Sequence, residues 1–206
     1  MADSLTFYTN PTSRGSITRW MLEELGVPYE TVFLDYGTSM KGADYLAINP
    51  MGKVPAIRHG DRVVTEGAAI CAYLADAFPE AGLAPAPADR HDYYRWLFFG
   101  AGPIEAVFSN KAMGWVAPPE RQGMVGYGNF ELAIDTLESA IAGKPFIAGG
   151  RFSAADVYIG SMIDFMLMFG TLEPRTTFDA YVTPLRERPA YIRAKEIDQA
   201  HAGSKA

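Results

Sequence analysis

The sequence predicts an α/β domain followed by an all-helical one. Three observations lead to this. Over about the first 78 residues, short alternating apolar runs interleave with runs of helical spacing. A stretch rich in proline and alanine, FPEAGLAPAPAD from Phe78 to Asp89, then breaks every periodicity. From Asp89 onward only helical spacing recurs.

The elements follow in order. LTFYT, Leu5 to Thr9, alternates as a half-buried strand does. In NPTSRGSITRWMLEELG a loop turns into a helix, with apolar residues at Ile17, Trp20, Met21 and Leu25 and Gly26 as its stop. YETVFLD reads as a second strand. SMKGADYLAINP reads as a short helix closed by Asn49 and Pro50, and VPAIRHGDRVVTE as two strands about a turn at His59, Gly60 and Asp61. A third helix is expected from Glu66 to Phe78. The order βαβ, α, ββα is that of a thioredoxin-like domain, a parallel unit completed by an antiparallel hairpin. In the second half, helices are expected over roughly 89–113, 120–142 and 154–169, with two shorter ones before residue 200. The expected domains are 1–80 and 89–206.

Composition narrows the function. With 49% apolar and 20% charged residues, the chain reads as a soluble globular protein. A net charge of −6 without a basic cluster leaves no electrostatic footprint for nucleic acid or an anionic membrane. No apolar run approaches the roughly 18 residues of a membrane span, and MADSLTFY lacks the basic start of a signal peptide; the expected location is cytoplasmic. The single cysteine, Cys71, excludes a Cys-x-x-Cys dithiol, and its helical neighbours Ile70 and Leu74 mark it as a small buried hydrophobe. His59, His91 and His201 are scattered without metal-ligand spacing, so no metal is expected.

Four motifs, NPTSRG, NPMGKVPAI, TEGAAICAYL and RFSAADVYIG, together with the two-part architecture, make nearly the whole chain resemble a cytosolic glutathione transferase of bacterial type. The resemblance implies a cis Val54-Pro55 bond, with the Val54 main chain pairing with the cysteinyl unit of glutathione and Lys53 meeting its glycine carboxylate. It also implies that Glu66 and Gly67, at the start of the third helix, hold the γ-glutamyl end. A helix N-terminus suits that carboxylate, and the Glu66 carboxylate suits the ammonium. Gly67 departs from the Ser or Thr usual in the family, so only its backbone N–H carries over. In RFSAADVYIG, Ser153 and Asp156 form a capping box, with Phe152 and Val157 at the staple positions.

A transferase of this kind makes a thiolate from glutathione, and a helix N-terminus, a hydroxyl and a guanidinium favour that anion. NPTSRG offers all three. By resemblance Ser13 is the first candidate donor; Tyr8, then Thr9 or Asn10, are alternatives, and Arg14 is the candidate cation. An acceptor site between the domains is expected to draw on Phe99, Met113, Trp115, Met162, Phe165, Met166 and Phe169, and to take a small apolar electrophile. A homodimer and a role in detoxification are implied as well. The competing readings are a glutathione-dependent peroxidase or disulfide reductase, and a non-catalytic glutathione-binding or assembly module of the same fold.

Overall fold

The computed structural model describes residues 3–203. The chain divides into two compact units, Met1–Gly82 with Arg188–Ala206, and Leu83–Glu187. The division falls inside the proline-rich stretch. The C-terminal segment, expected in the helical half, belongs instead to the first unit.

The first unit contains β1 (Leu5–Thr9), α1 (Gly15–Leu25), β2 (Glu30–Phe33), a 3-10 turn (Ser39–Lys41), α2 (Ala43–Leu46), β3 (Ala56–His59), β4 (Arg62–Thr65) and α3 (Gly67–Ala77). The strands lie in the order β2-β1-β3-β4. β1 runs parallel to β2 and antiparallel to β3, and β3 runs antiparallel to β4, which is the expected thioredoxin-like sheet. Alternation sorts the side chains. Phe7 and Ile57, directly paired across β1 and β3, are fully buried, as are Ile17, Met21 and Leu22 of α1 and Ile70 and Leu74 of α3. Tyr8 and Ala56, next along the same ladder, pack in a separate cluster with Leu34, Met40 and Tyr45.

The first unit is completed by α9 (Pro189–Gly203), which packs on α1. Arg188 makes a bidentate pair with Glu24 (2.6 and 2.8 Å), Arg193 reaches Glu23 (3.2 Å), and Tyr191 meets Trp20 edge-on at 5.0 Å. Deepest lies Arg19, 1% exposed, whose Nε donates to Asp198 at 3.1 Å and whose Nη1 donates to Tyr29 (3.0 Å) and Thr31 (2.8 Å). Its guanidinium lies over the Phe7, Tyr29 and Phe33 rings, a position that favours a buried cation. Burial raises the Asp198 pKa, and Arg19 works against that rise.

The second unit contains α4 (His91–Phe99), a π-helical turn (Gly100–Ile104), α5 (Glu105–Ala112), a 3-10 turn (Pro119–Met124), α6 (Phe130–Ile141), α7 (Ala154–Met168) and α8 (Thr176–Arg186). The helix expected over 89–113 is therefore interrupted. At the interruption a Cβ on Gly100 would lie 2.8 Å from Ile159 and 2.9 Å from Tyr158, so the close approach to α7 requires glycine there. The helix expected from 120 starts at Phe130, where Asn129 caps it by accepting the Leu132 N–H at 2.8 Å.

Helix α7 is buried along most of its length, and its capping box is present as expected. Asp156 does more than cap. One carboxylate oxygen accepts the Ser153 N–H (2.9 Å) and hydroxyl (3.0 Å), and the other accepts the Ile147 N–H and the Tyr181 hydroxyl, both at 2.7 Å. Burial pushes its pKa up, and the four donors act against that rise. Asp156→Ala would strand the Ile147 and Ser153 N–H groups and the Tyr181 hydroxyl in the interior. A loss of at least about 3 kcal/mol in urea unfolding is expected, and Asp156→Asn, which keeps one acceptor oxygen, should lose less.

Candidate functional site

Strand register brings three separate segments to one end of the sheet. Tyr8 pairs with Ala56, and Ala56 pairs with Thr65. The chain therefore leaves β1 through Thr9, enters β3 from Pro55 and leaves β4 into Glu66 at the same end. This gathers the loop before α1, the Lys53-Val54-Pro55 segment and the start of α3, which together with Tyr8 and Thr9 at the end of β1 hold every residue assigned to thiolate stabilisation or glutathione binding.

The loop after β1 is organised by Asn10, 8% exposed. Its amide donates to the Leu34 carbonyl (2.8 Å), its side-chain oxygen accepts the Thr12 N–H (3.0 Å) and hydroxyl (2.8 Å), and its carbonyl accepts the Ser13 N–H (3.1 Å) and hydroxyl (2.6 Å). The Ser13 Oγ in turn accepts the Gly15 N–H at 2.9 Å, while the Ser16 and Ile17 N–H groups bond to the carbonyls of Ser13 and Arg14. Much of the backbone donor capacity expected at the start of α1 is thus already used. Thr9 is fully buried, and a Cβ on Gly15 would fall 2.0 Å from its hydroxyl. Tyr8 lies in the cluster with Tyr45 (ring centroids 5.6 Å apart), next to the half-buried Val54. Arg14, half-buried, occupies the cap position of α1.

The segment before β3 is pinned from behind. The Lys53 carbonyl accepts from the Tyr45 hydroxyl (2.5 Å) and the Asn49 amide (2.8 Å), and Lys41 holds the carbonyls of Met51 (3.2 Å) and Gly52 (2.7 Å). Burial pushes the Tyr45 hydroxyl up to about 12, so it stays protonated as a donor. The Val54-Pro55 bond is cis. Among the described residues neither the N–H nor the C=O of Val54 has a hydrogen-bond partner. The Lys53 side chain is exposed. Sequence reasoning missed Lys41, Tyr45 and Asn49; only the NP turn at Asn49 signalled structure there.

At the start of α3, Glu66 has φ 67° and ψ 117°, the one non-glycine residue with positive φ among the described residues. Such a conformation costs on the order of 1–3 kcal/mol and persists where its surroundings hold it. Its side chain is exposed, and no side chain caps the helix. The N–H groups of Gly67 and Ala68 have no partner among the described residues. Further along α3, Cys71 is completely buried and its thiol is pushed up to about 12 by burial, which makes it inert.

The acceptor candidates separate by exposure. Met162 and Met166 are fully buried and belong to the core of the second unit, a correction to their expected place in a site wall. Phe99 and Phe165 are half-buried, while Met113, Trp115 and Phe169 are exposed. Among the described residues no group of three His, Cys, Asp or Glu side chains is arranged to hold a metal ion, and no helix is long and apolar enough to cross a membrane.

Comparison with known proteins agrees with this geometry. Residues 15–77 match the family model described as glutathione S-transferase, N-terminal domain, and residues 114–194 match that of the C-terminal domain. The chain is 29% identical over 180 residues to glutathione S-transferase GstB of Escherichia coli, covering 82% of this chain and 86% of that one. A glutathione transferase structure from Methylococcus capsulatus superposes with a TM-score of 0.79 at 28% identity, covering 95% of this chain and 99% of that one. A glutathione transferase homologue from Sulfitobacter with bound glutathione gives 0.77 at 26% identity, over 94% and 97%. On its two-part fold, its cis-proline segment and these matches, the chain belongs to the glutathione S-transferase family.

Proposed function

We propose that the protein is a glutathione transferase that binds the tripeptide along the end of the sheet and activates its thiol for attack on a small apolar electrophile. The observation that carries this reading is the unpaired main chain of Val54, flanked by the exposed Lys53 and facing no partner of its own. An unpaired N–H and C=O beside a strand suit an extended peptide, which adds to the sheet through its own main chain. The cysteinyl unit of glutathione supplies that pairing, and Lys53 supplies a cation for the glycine carboxylate. The open start of α3 suits the γ-glutamyl carboxylate, with the exposed Glu66 left to its ammonium. The Sulfitobacter homologue, which binds glutathione, supports the same ligand here.

Thiolate formation falls to the loop after β1. A thiol of pKa roughly 8.5 is about 3% ionised at neutral pH, and lowering it by two units requires about 2.7 kcal/mol of extra anion stabilisation. We assign the donor to Ser13. Its proton is held by the Asn10 carbonyl, which keeps the Ser13 N–H at 3.1 Å when the hydroxyl turns away. A thiolate is the stronger acceptor, so the exchange favours the bound anion. Arg14 and the α1 dipole add positive potential. Tyr8 is the alternative, since none of the hydrogen bonds among the described residues uses its hydroxyl. Cys71 is sealed in the core, so conjugation, peroxide reduction and disulfide reduction would all draw their sulfur from glutathione.

We also propose a homodimer. Tyr94 and Phe98, one turn apart on α4, are 39% and 74% exposed, an apolar stripe of the kind a second copy covers. Light scattering should return twice the 22.5 kDa chain mass at micromolar concentration; a value at the chain mass would remove this part of the reading.

Ultraviolet titration of the bound thiolate tests the mechanism. The wild type should show a thiol pKa lowered from its solution value. Ser13→Ala should raise it by about one to two units with little change in glutathione affinity, because other residues hold the two charged ends. A rise in Tyr8→Phe alone would transfer the role to the tyrosine, and an unshifted thiol in the wild type would remove the proposed activation.

A further inference from the structure

We infer that Tyr45 is a positioning residue for glutathione: its hydroxyl, together with the Asn49 amide, holds and polarises the Lys53-Val54 peptide so that the Val54 N–H is aimed at the tripeptide. The role rests on the proposed docking of glutathione along Val54. The Lys53 carbonyl accepts the Tyr45 hydroxyl at 2.5 Å and the Asn49 amide at 2.8 Å. That carbonyl and the Val54 N–H belong to one peptide unit. The unit is trans, because the one cis bond among the described residues is Val54-Pro55.

A trans peptide is planar, with its C=O and N–H pointing in opposite directions. Two donors that fix the oxygen from behind therefore fix the direction of the N–H, which has no partner among the described residues. Hydrogen bonds on the carbonyl also polarise the amide and strengthen it as a donor, by roughly 10–30% per bond. The Val54 N–H is aimed and strengthened before a ligand arrives, and an edge ordered in advance leaves less to be ordered on binding.

Both donors are themselves held. The Tyr45 ring is buried among Tyr8, Leu34, Met40 and Ala56, and its main-chain carbonyl accepts the N–H groups of Ile48 (2.9 Å) and Asn49 (2.8 Å). The Asn49 side-chain oxygen accepts the Met51 N–H at 3.1 Å, which turns its amide nitrogen to Lys53. Burial keeps the Tyr45 hydroxyl protonated up to about 12, so it donates throughout the range in which a thiol titrates. A phenylalanine ring would fill the same space, so removing the hydroxyl tests the clamp with the core intact.

Tyr45→Phe is therefore the variant, read by calorimetry with glutathione and by ultraviolet titration of the bound thiol. Glutathione affinity should fall about three- to tenfold, while the pKa of the bound thiol keeps its wild-type value, the converse of the split expected for Ser13→Ala. In the free protein the Val54 amide proton should move upfield in the nuclear magnetic resonance spectrum, as a less polarised amide does; this readout needs no ligand. Asn49→Asp keeps the acceptor for Met51 but loses the amide donor, and should weaken glutathione in the same direction with the thiol pKa again in place. Circular dichroism matching the wild type qualifies each variant, and Asn49→Asp decides if Tyr45→Phe does not fold. Unchanged affinity in the folded variant, an unmoved Val54 resonance, or a fall in affinity accompanied by a raised thiol pKa, the mark of a generally loosened site, would each overturn the proposal. Wild-type protein that does not bind glutathione would instead remove the docking reading, and this role with it.

Discussion

The register that pairs Tyr8 with Ala56 and Ala56 with Thr65 is the constraint on which the candidate site depends. A slip of β1 by one residue would exchange the faces of Phe7 and Tyr8, which are buried in different clusters, so packing on both faces of the sheet holds the pairing in place. With that pairing fixed, three chain segments have no choice but to end together. The loop before α1, the cis-proline segment and the strained Glu66 are distant in sequence and adjacent because of two antiparallel ladders.

Hydrogen-bond satisfaction then divides scaffold from binding surface. Asn10 satisfies nearly everything near it, and Tyr45, Asn49 and Lys41 satisfy the carbonyls behind the cis proline. The main chain of Val54 and the first N–H groups of α3 are left over. Backbone groups in folded proteins are nearly always paired with protein or water. Open groups gathered at one end of a sheet, with an exposed cation and an exposed carboxylate beside them, describe a surface suited to a charged peptide.

Much of this was legible in the sequence because it is local. Alternation marked the strands, Gly26 the end of α1, and Ser153 with Asp156 the start of α7. What escaped was decided by partners far along the chain. Periodicity could not assign α9 to the first unit, because Arg188, Arg193 and Asp198 find Glu24, Glu23 and Arg19 across more than 160 positions. The break in the first long helix is a π-helical turn with Pro103 inside it, next to the close approach of Gly100 to α7. Hydroxyls at a helix entrance read as open donors, yet Ser13 and Thr12 are both turned onto Asn10. Met166 has the spacing of a site wall and of a core equally, and burial alone separates them.

The central claim is that the Val54 main chain is the docking edge for glutathione. Amide hydrogen exchange at Val54, with and without saturating glutathione, measures it directly. The account predicts that the Val54 amide exchanges readily in the free protein and is markedly slowed by glutathione, along with the amides of Gly67 and Ala68. A Val54 amide whose exchange is the same with and without the bound tripeptide would contradict it.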